Sequence, residues 1–214
     1  MTNTPTLFDT KTPAAGLPTA RPAAAGATTP LVIGLDVAMG ISGVAGAGWT
    51  DHVRCTATGQ HDRFAAQLNG LASFYRHADY VVIEGAAYSK NNQGADALAA
   101  MRWMVRHDLW KRAIPYAVIT PSKRLTYSTG TTVHYDEHGL RLKGDALKGL
   151  VRAAVGERYG IHTEGRAKYD EADAYVLLAM AYDHLGHPLA EVPAKHRAAL
   201  TGCDWSQFTP AVAR

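Results

Sequence analysis

The chain has 214 residues, with 22 Lys and Arg against 19 Asp and Glu, and the resulting formal charge of +3 names no partner. At 47% apolar and 19% charged residues it is neither disordered throughout nor collagen-like, and it has enough apolar surface for one core. No run reaches the about 18 apolar residues that a membrane-crossing helix requires, and the start lacks a secretory profile, so a soluble intracellular protein is expected. Cys55 and Cys203 stand far apart, with no Cys or His at zinc spacing, which argues against a disulfide framework and against zinc.

Residues 1–30 hold five of the ten prolines, and Ala, Thr and Pro make up 20 of the 30. Such a composition cannot bury enough side chain to offset its ordering entropy, so a disordered arm is expected. Its one bulky apolar pair, Leu7-Phe8, is either a chance pair or a docking peptide for a replication or recombination partner. From residue 31 the character changes. The run 31–37 (LVIGLDV) is short, β-branched and apolar on both faces, as a buried central strand should be. Strands expected at about 42–48 and 52–58 complete an antiparallel meander. A helix at about 62–77 carries Phe64, Leu68 and Leu71 at helical spacing, and a second buried-type strand follows at 80–84. A helix over about 93–112 precedes a strand at 116–119 that Pro121 ends. Residues 121–141 read as a polar loop, and helices follow at about 144–159 and 169–185. The order β-β-β-α-β-α-β-α-α is that of a mixed α/β layer fold. A short helix is expected over 193–200, with Trp205 and Phe208 anchoring the tail.

Four acids sit where apolar residues belong. Residues two apart on a strand share a face, which puts Asp36 with Val32 and Gly34, and Glu84 with Val82. At 100° per residue, Asp170 and Asp173 continue the apolar stripe of the last long helix, whereas Glu171 falls off it and is expected to be solvated. Singly, each acid has a structural explanation, as a turn acceptor, a solvated strand end or a helix cap. Together they predict convergence at one edge of the sheet. Like charges about 5 Å apart repel by roughly 3 kcal/mol per pair at an effective dielectric near 20, a cost that a cation relieves. An oxygen-only set suits Mg²⁺ or Mn²⁺, and two such ions about 4 Å apart can promote in-line attack on phosphorus.

The segments 33–43 (IGLDVAMGISG), 82–91 (VIEGAAYSKN) and 168–182 (KYDEADAYVLLAMAY) resemble, in order, the three acidic motifs of RuvC-type Holliday-junction resolvases, within the ribonuclease-H-like superfamily. The short length and divergent motif surroundings look more like the phage or plasmid branch. The resemblance spans about residues 31–186, taken as the nuclease domain, with 187–214 as a C-terminal appendage. It implies a ribonuclease-H-like fold: a mixed five-stranded sheet, an antiparallel meander and then parallel strands, flanked by helices. It implies Asp36, Glu84, Asp170 and Asp173 as catalytic and metal-holding residues, with two Mg²⁺ (or Mn²⁺) ions per site. It further implies a homodimer in the cytoplasm of a bacterial or phage-infected cell, resolving four-way DNA junctions by paired nicks that leave 5′-phosphates. The family often places an aromatic three residues after the motif glutamate, near the junction centre; here Ala87 holds that position and Tyr88, one residue out of the family's register, is carried as a DNA-binding residue.

Charge by segment supports a nucleic-acid partner. Residues 90–168 carry 14 Lys and Arg against 7 Asp and Glu, a net +7, while the segments on either side are net acidic. The expected DNA-binding residues are Tyr88, Lys90, Lys123, Arg124, Lys143 and Lys148, with Arg141, Arg166 and Lys168 beside them. His134 and His138 read as a solvated pair, and Trp103 and Trp110 as core or dimer contacts. Three alternatives accompany this reading: a ribonuclease on structured RNA, a non-catalytic DNA-binding scaffold with the same fold, and an ATP-dependent phosphotransferase of the actin and sugar-kinase type, which needs two such lobes.

Overall fold

The structure is a computed structural model that describes residues 29–86 and 94–206. Five strands form one mixed sheet: β1 (Val32–Asp36), β2 (Ile41–Gly46), β3 (Trp49–Arg54), β4 (Tyr80–Glu84) and β5 (Tyr116–Ile119), in the order β3-β2-β1-β4-β5. The first three make an antiparallel meander, and β4 and β5 extend it in parallel with β1. This is the expected mixed sheet with helices on both sides. β1 and β4 are buried along their whole length, which is why both are continuous apolar runs in sequence.

Alternation along the strands makes two cores. Ile33, Leu35, Val44, Val81 and Ile83 face α1 (Gln60–Tyr75) and α2 (Ala95–Lys111), which contribute Leu71, Tyr75, Met101, Val105 and Leu109. Val32, Ala45, Val82, Ala117 and Ile119 face the other way, onto α5 (Lys168–His184). From Glu171 to Asp183 every residue of α5 is buried, because the helix lies between the sheet and an outer layer of α3 (Pro121–Thr129) and α4 (Gly144–Tyr159). A helix covered on all sides is apolar all round, as this one is after its first turn apart from Asp173 and Asp183. Gly34 permits the close approach: a Cβ there would collide with the Ala174 carbonyl and lie 2.9 Å from the Leu178 amide nitrogen.

Three expectations change. The segment expected as a loop over 121–141 begins with α3, whose Pro121 occupies the first helical turn behind a Thr120 N-cap. Pro121 therefore starts a helix as well as ending the strand. Beyond α3, residues 131–143 form a turn in which Tyr135 bridges Arg141 and Asp136 Oδ1 accepts from the amides of His138 and Leu140. Trp103 and Trp110 are each 60% exposed on α2, so they are not core; Arg106 stacks over Trp103, and His107 over Trp110. Glu171 is buried, not solvated, and accepts from His52 Nδ1 (2.8 Å) and Thr50 Oγ1 (3.2 Å) on the edge strand β3.

The short helix expected over 193–200 is present as α6 (Ala194–Arg197) and a 3₁₀ turn, Ala198–Leu200. Trp205 stacks on His184 with 4.2 Å between ring centroids, and Val192, Ala199 and Trp205 join the α5-side core. The arm 1–28 with Leu7-Phe8, and Phe208, lie outside the described residues.

Candidate active site

Parallel neighbours end at the same edge, and β1 and β4 each end in an acid. Leu35 is in register with Ile83, which sets Asp36 beside Glu84. Both strands present these acids on the α5 side, where the first turn of α5 brings Asp170 and, one turn on, Asp173. Gly43 on β2 fixes that first turn against the sheet: a Cβ there would collide with the Asp170 carbonyl and lie 2.7 Å from the Glu171 amide nitrogen. The four acids lie at one edge of the sheet, with Asp36 close enough to Glu84, Asp173 and Asp170 to interact electrostatically with each.

Their electrostatics are those of crowded, desolvated carboxylates. Burial first, then Glu84 and Asp173, hold the Asp36 carboxyl well above the ordinary carboxylate range, against the opposing pull of Arg124. Burial pushes Asp173 up to about 7, with Arg124 opposing and Glu84 adding to the rise. Asp170 is raised by burial and partly offset by Lys148, whose Nζ lies 3.6 Å from Asp170 Oδ1.

Arg124 is where the sequence reading and the structure part. It was expected on a phosphate-binding surface, yet it is 9% exposed, at the centre of the acid cluster. Its Nε donates to Glu84 Oε1 at 2.6 Å and its Nη1 donates to Asp173 Oδ1. The missed signal is the Thr-Pro start at 120–121. With a helix begun there, Arg124, Leu125 and Ser128 share its buried face.

Of the remaining basic residues, Lys148 alone among those described is paired with an acid of the cluster. Lys148 is half-buried against Asp170, and Lys143 and Arg141 are exposed just ahead of α4. Lys123 donates from Nζ to the Thr201 carbonyl oxygen at 2.6 Å, so it is already engaged with the C-terminal segment. Tyr88 and Lys90 lie outside the described residues. His134 accepts from or donates to Thr129 Oγ1 at 2.8 Å, and His138 is exposed.

Among the described residues, no group of three His, Cys, Asp or Glu side chains is drawn together closely enough to hold an ion as it stands. The donor set nonetheless fits a hard divalent cation in its chemistry. All donors are carboxylate oxygens, Asp36, Asp170 and Asp173 are each held above the ordinary carboxylate range, and the side chain of Asp36, nine-tenths buried, makes no hydrogen bond or ion pair among the described residues. The scaffold below the acids is independently braced: buried Ser42 donates to Gln67 Oε1 at 2.9 Å, and Gln67 Nε2 donates to the carbonyls of Gly40 and Val53.

No protein-family model and no curated protein matches the sequence. Solved structures do match in fold. RuvC from Thermus thermophilus in complex with a Holliday junction substrate aligns with a TM-score of 0.51 at 13% identity, covering 77% of this chain and 100% of that one. A second Thermus thermophilus RuvC structure aligns at 0.51 and 14% identity, covering 76% and 99%. Both are Thermus RuvC, not a phage or plasmid member. The chain shares the RuvC fold, a mixed five-stranded ribonuclease-H-like sheet flanked by helices.

Proposed function

We propose that this protein is a divalent-metal-dependent endodeoxyribonuclease that nicks four-way DNA junctions. The observation that carries the reading is the convergence of Asp36, Glu84, Asp170 and Asp173 at the carboxyl end of two parallel strands, a costly arrangement of like charges that a scaffold has no use for. The fold supports it, because the RuvC structure of the same architecture was solved with a Holliday junction. A phosphotransferase of the actin type needs two lobes, and the described residues make one sheet.

Asp36 and Asp170, with oxygens of Glu84 and Asp173, would hold Mg²⁺ or Mn²⁺. Such an ion, when bound, polarises the phosphoryl group and acidifies water. The chain's own groups do the rest. Lys148, at 3.6 Å from Asp170, sets a positive charge at the rim of the cluster, where a phosphate oxygen would approach. Exposed Lys143 and Arg141 continue that charge outward, and each that reaches a phosphate releases counterion. Tyr88 and Lys90 belong to the same proposal, following the motif glutamate. Paired nicking calls for two sites, and we assign the homodimer contact to the α2 face that carries exposed Trp103 and Trp110. The products would carry 5′-phosphates, and the work would be done in the cytoplasm of a bacterial or phage-infected cell.

The test is Asp36→Asn. It removes one charge while keeping shape, so nicking of a synthetic four-way junction in Mg²⁺ should fall at least 100-fold while binding in Ca²⁺ stays within a few-fold of wild type. A variant that still nicks at the wild-type rate refutes the site. Cleavage of a matched RNA hairpin in preference to the junction would make the enzyme a ribonuclease.

A further inference from the structure

The site contains a cation of its own. Arg124 bonds two of the four acids, Glu84 at 2.6 Å and Asp173, and its guanidinium is buried with them. Arginine stays charged at any pH a protein survives, so this is a permanent positive charge. α3, which carries it, is not free to swing away. Its Leu125, Tyr127 and Ser128 are buried, Tyr127 donates to Asp183 at 3.0 Å, and the Arg124 amide donates to the Thr120 carbonyl oxygen.

Charge counting follows from these contacts. With all four carboxylates deprotonated, as a bound cation requires, they bring four negative charges; Arg124 neutralises one, and Lys148, 3.6 Å from Asp170, a second. The remainder matches one divalent ion, not two. The acids that Arg124 does not bond are Asp36, whose side chain makes no hydrogen bond or ion pair among the described residues, and Asp170, whose only such side-chain contact among them is Lys148.

We propose that Arg124 is a resident cation that takes the place of one of the two metal ions expected from the sequence, so that each protomer binds a single Mg²⁺ or Mn²⁺, centred on Asp36 and Asp170. This rests on the metal-dependent nuclease reading above. It makes Arg124 a positioning residue that holds Glu84 and Asp173 in place, and not a surface contact for DNA.

The experiment counts bound Mn²⁺ on the full-length protein, by calorimetry and by loss of the free-ion electron-paramagnetic-resonance signal, without DNA. Wild type should bind one ion per protomer. Arg124→Lys, which keeps the charge, should also bind one. Arg124→Ala should bind two, or bind the first at least 10-fold more tightly. Two ions on wild type would overturn the proposal, as would one ion of unchanged affinity on Arg124→Ala. If Arg124→Ala fails to fold, the wild-type count and Arg124→Lys still decide. The two readings fail differently: a wild type that nicks junctions in Mg²⁺ but binds two ions refutes only the single-ion site, whereas one that binds none and cuts nothing refutes the nuclease reading as well.

Discussion

Raising the pH should destabilise the metal-free protein through Asp173, and a divalent ion should reverse the effect. Asp173 is 2% exposed and its carboxyl is pushed from 3.8 to about 7, chiefly by burial. An acid whose pKa is raised by folding binds a proton more tightly when folded, so stability is highest at low pH. It is lost progressively from about pH 4 and levels off above about pH 7. At 1.36 kcal/mol per pH unit, the whole span costs roughly 4 kcal/mol, of which about 2 kcal/mol falls between pH 5.5 and 8. For a domain of this size, that is a loss of about 4–8 °C in Tm. The assay is a thermal melt in EDTA at pH 5.5 and 8, on wild type and Asp173→Asn, repeated in Mg²⁺. Asp173→Asn should show a shallower pH dependence than wild type, the remainder belonging to Asp36 and Asp170, whose carboxyls are also raised by burial, and saturating Mg²⁺ should flatten it in wild type. Equal pH slopes for wild type and Asp173→Asn in EDTA would refute the claim that burial raises this carboxyl.

Other perturbations reach the site from its supports and its surface. Gly43→Ala places a methyl against the Asp170 backbone, so the first turn of α5 must shift; nicking should fall at least 10-fold while the far-ultraviolet circular dichroism stays native. Tyr127→Phe removes the bond to buried Asp183, which also pairs with Arg197; the urea midpoint should drop, at unchanged slope, by the equivalent of about 2 kcal/mol. Lys143→Ala should lower the slope of log affinity against log salt by about 0.9 for junction DNA. Lys123→Ala should lower it less, because its ammonium is already bonded to Thr201.

The parts legible in sequence were those with a strict physical signature. β1 and β4 are buried on both faces and so read as unbroken apolar runs ending in an acid, and α4 carries a clear helical period from Gly144 to Tyr159. The acids ending β1 and β4, with the Asp170 and Asp173 stripe that opens α5, point to one edge of the sheet. α3 was hidden because its surface positions are Ser, Lys and Thr and its start is a proline, which also marks the end of a strand. That one omission misplaced Arg124, since a residue read on a loop faces water and the same residue on α3 faces the acids. Glu171 was misread for a related reason: α5 is covered on every side, so falling off its apolar stripe does not expose a residue, and β3 supplies His52 and Thr50 to meet it. Helical periodicity tells one face from another only when the helix has a wet face.

We assign the acid cluster as a nuclease site for branched DNA. It is tested most directly by a cleavage panel on a four-way junction, a replication fork and a linear duplex, each with Mg²⁺, Mn²⁺ or EDTA. Paired nicks in the junction with either metal, at least 10-fold faster than in the duplex and absent in EDTA, are the result the site predicts. No cleavage of any of the three at any Mg²⁺ or Mn²⁺ concentration, or cleavage that persists in EDTA, would contradict it.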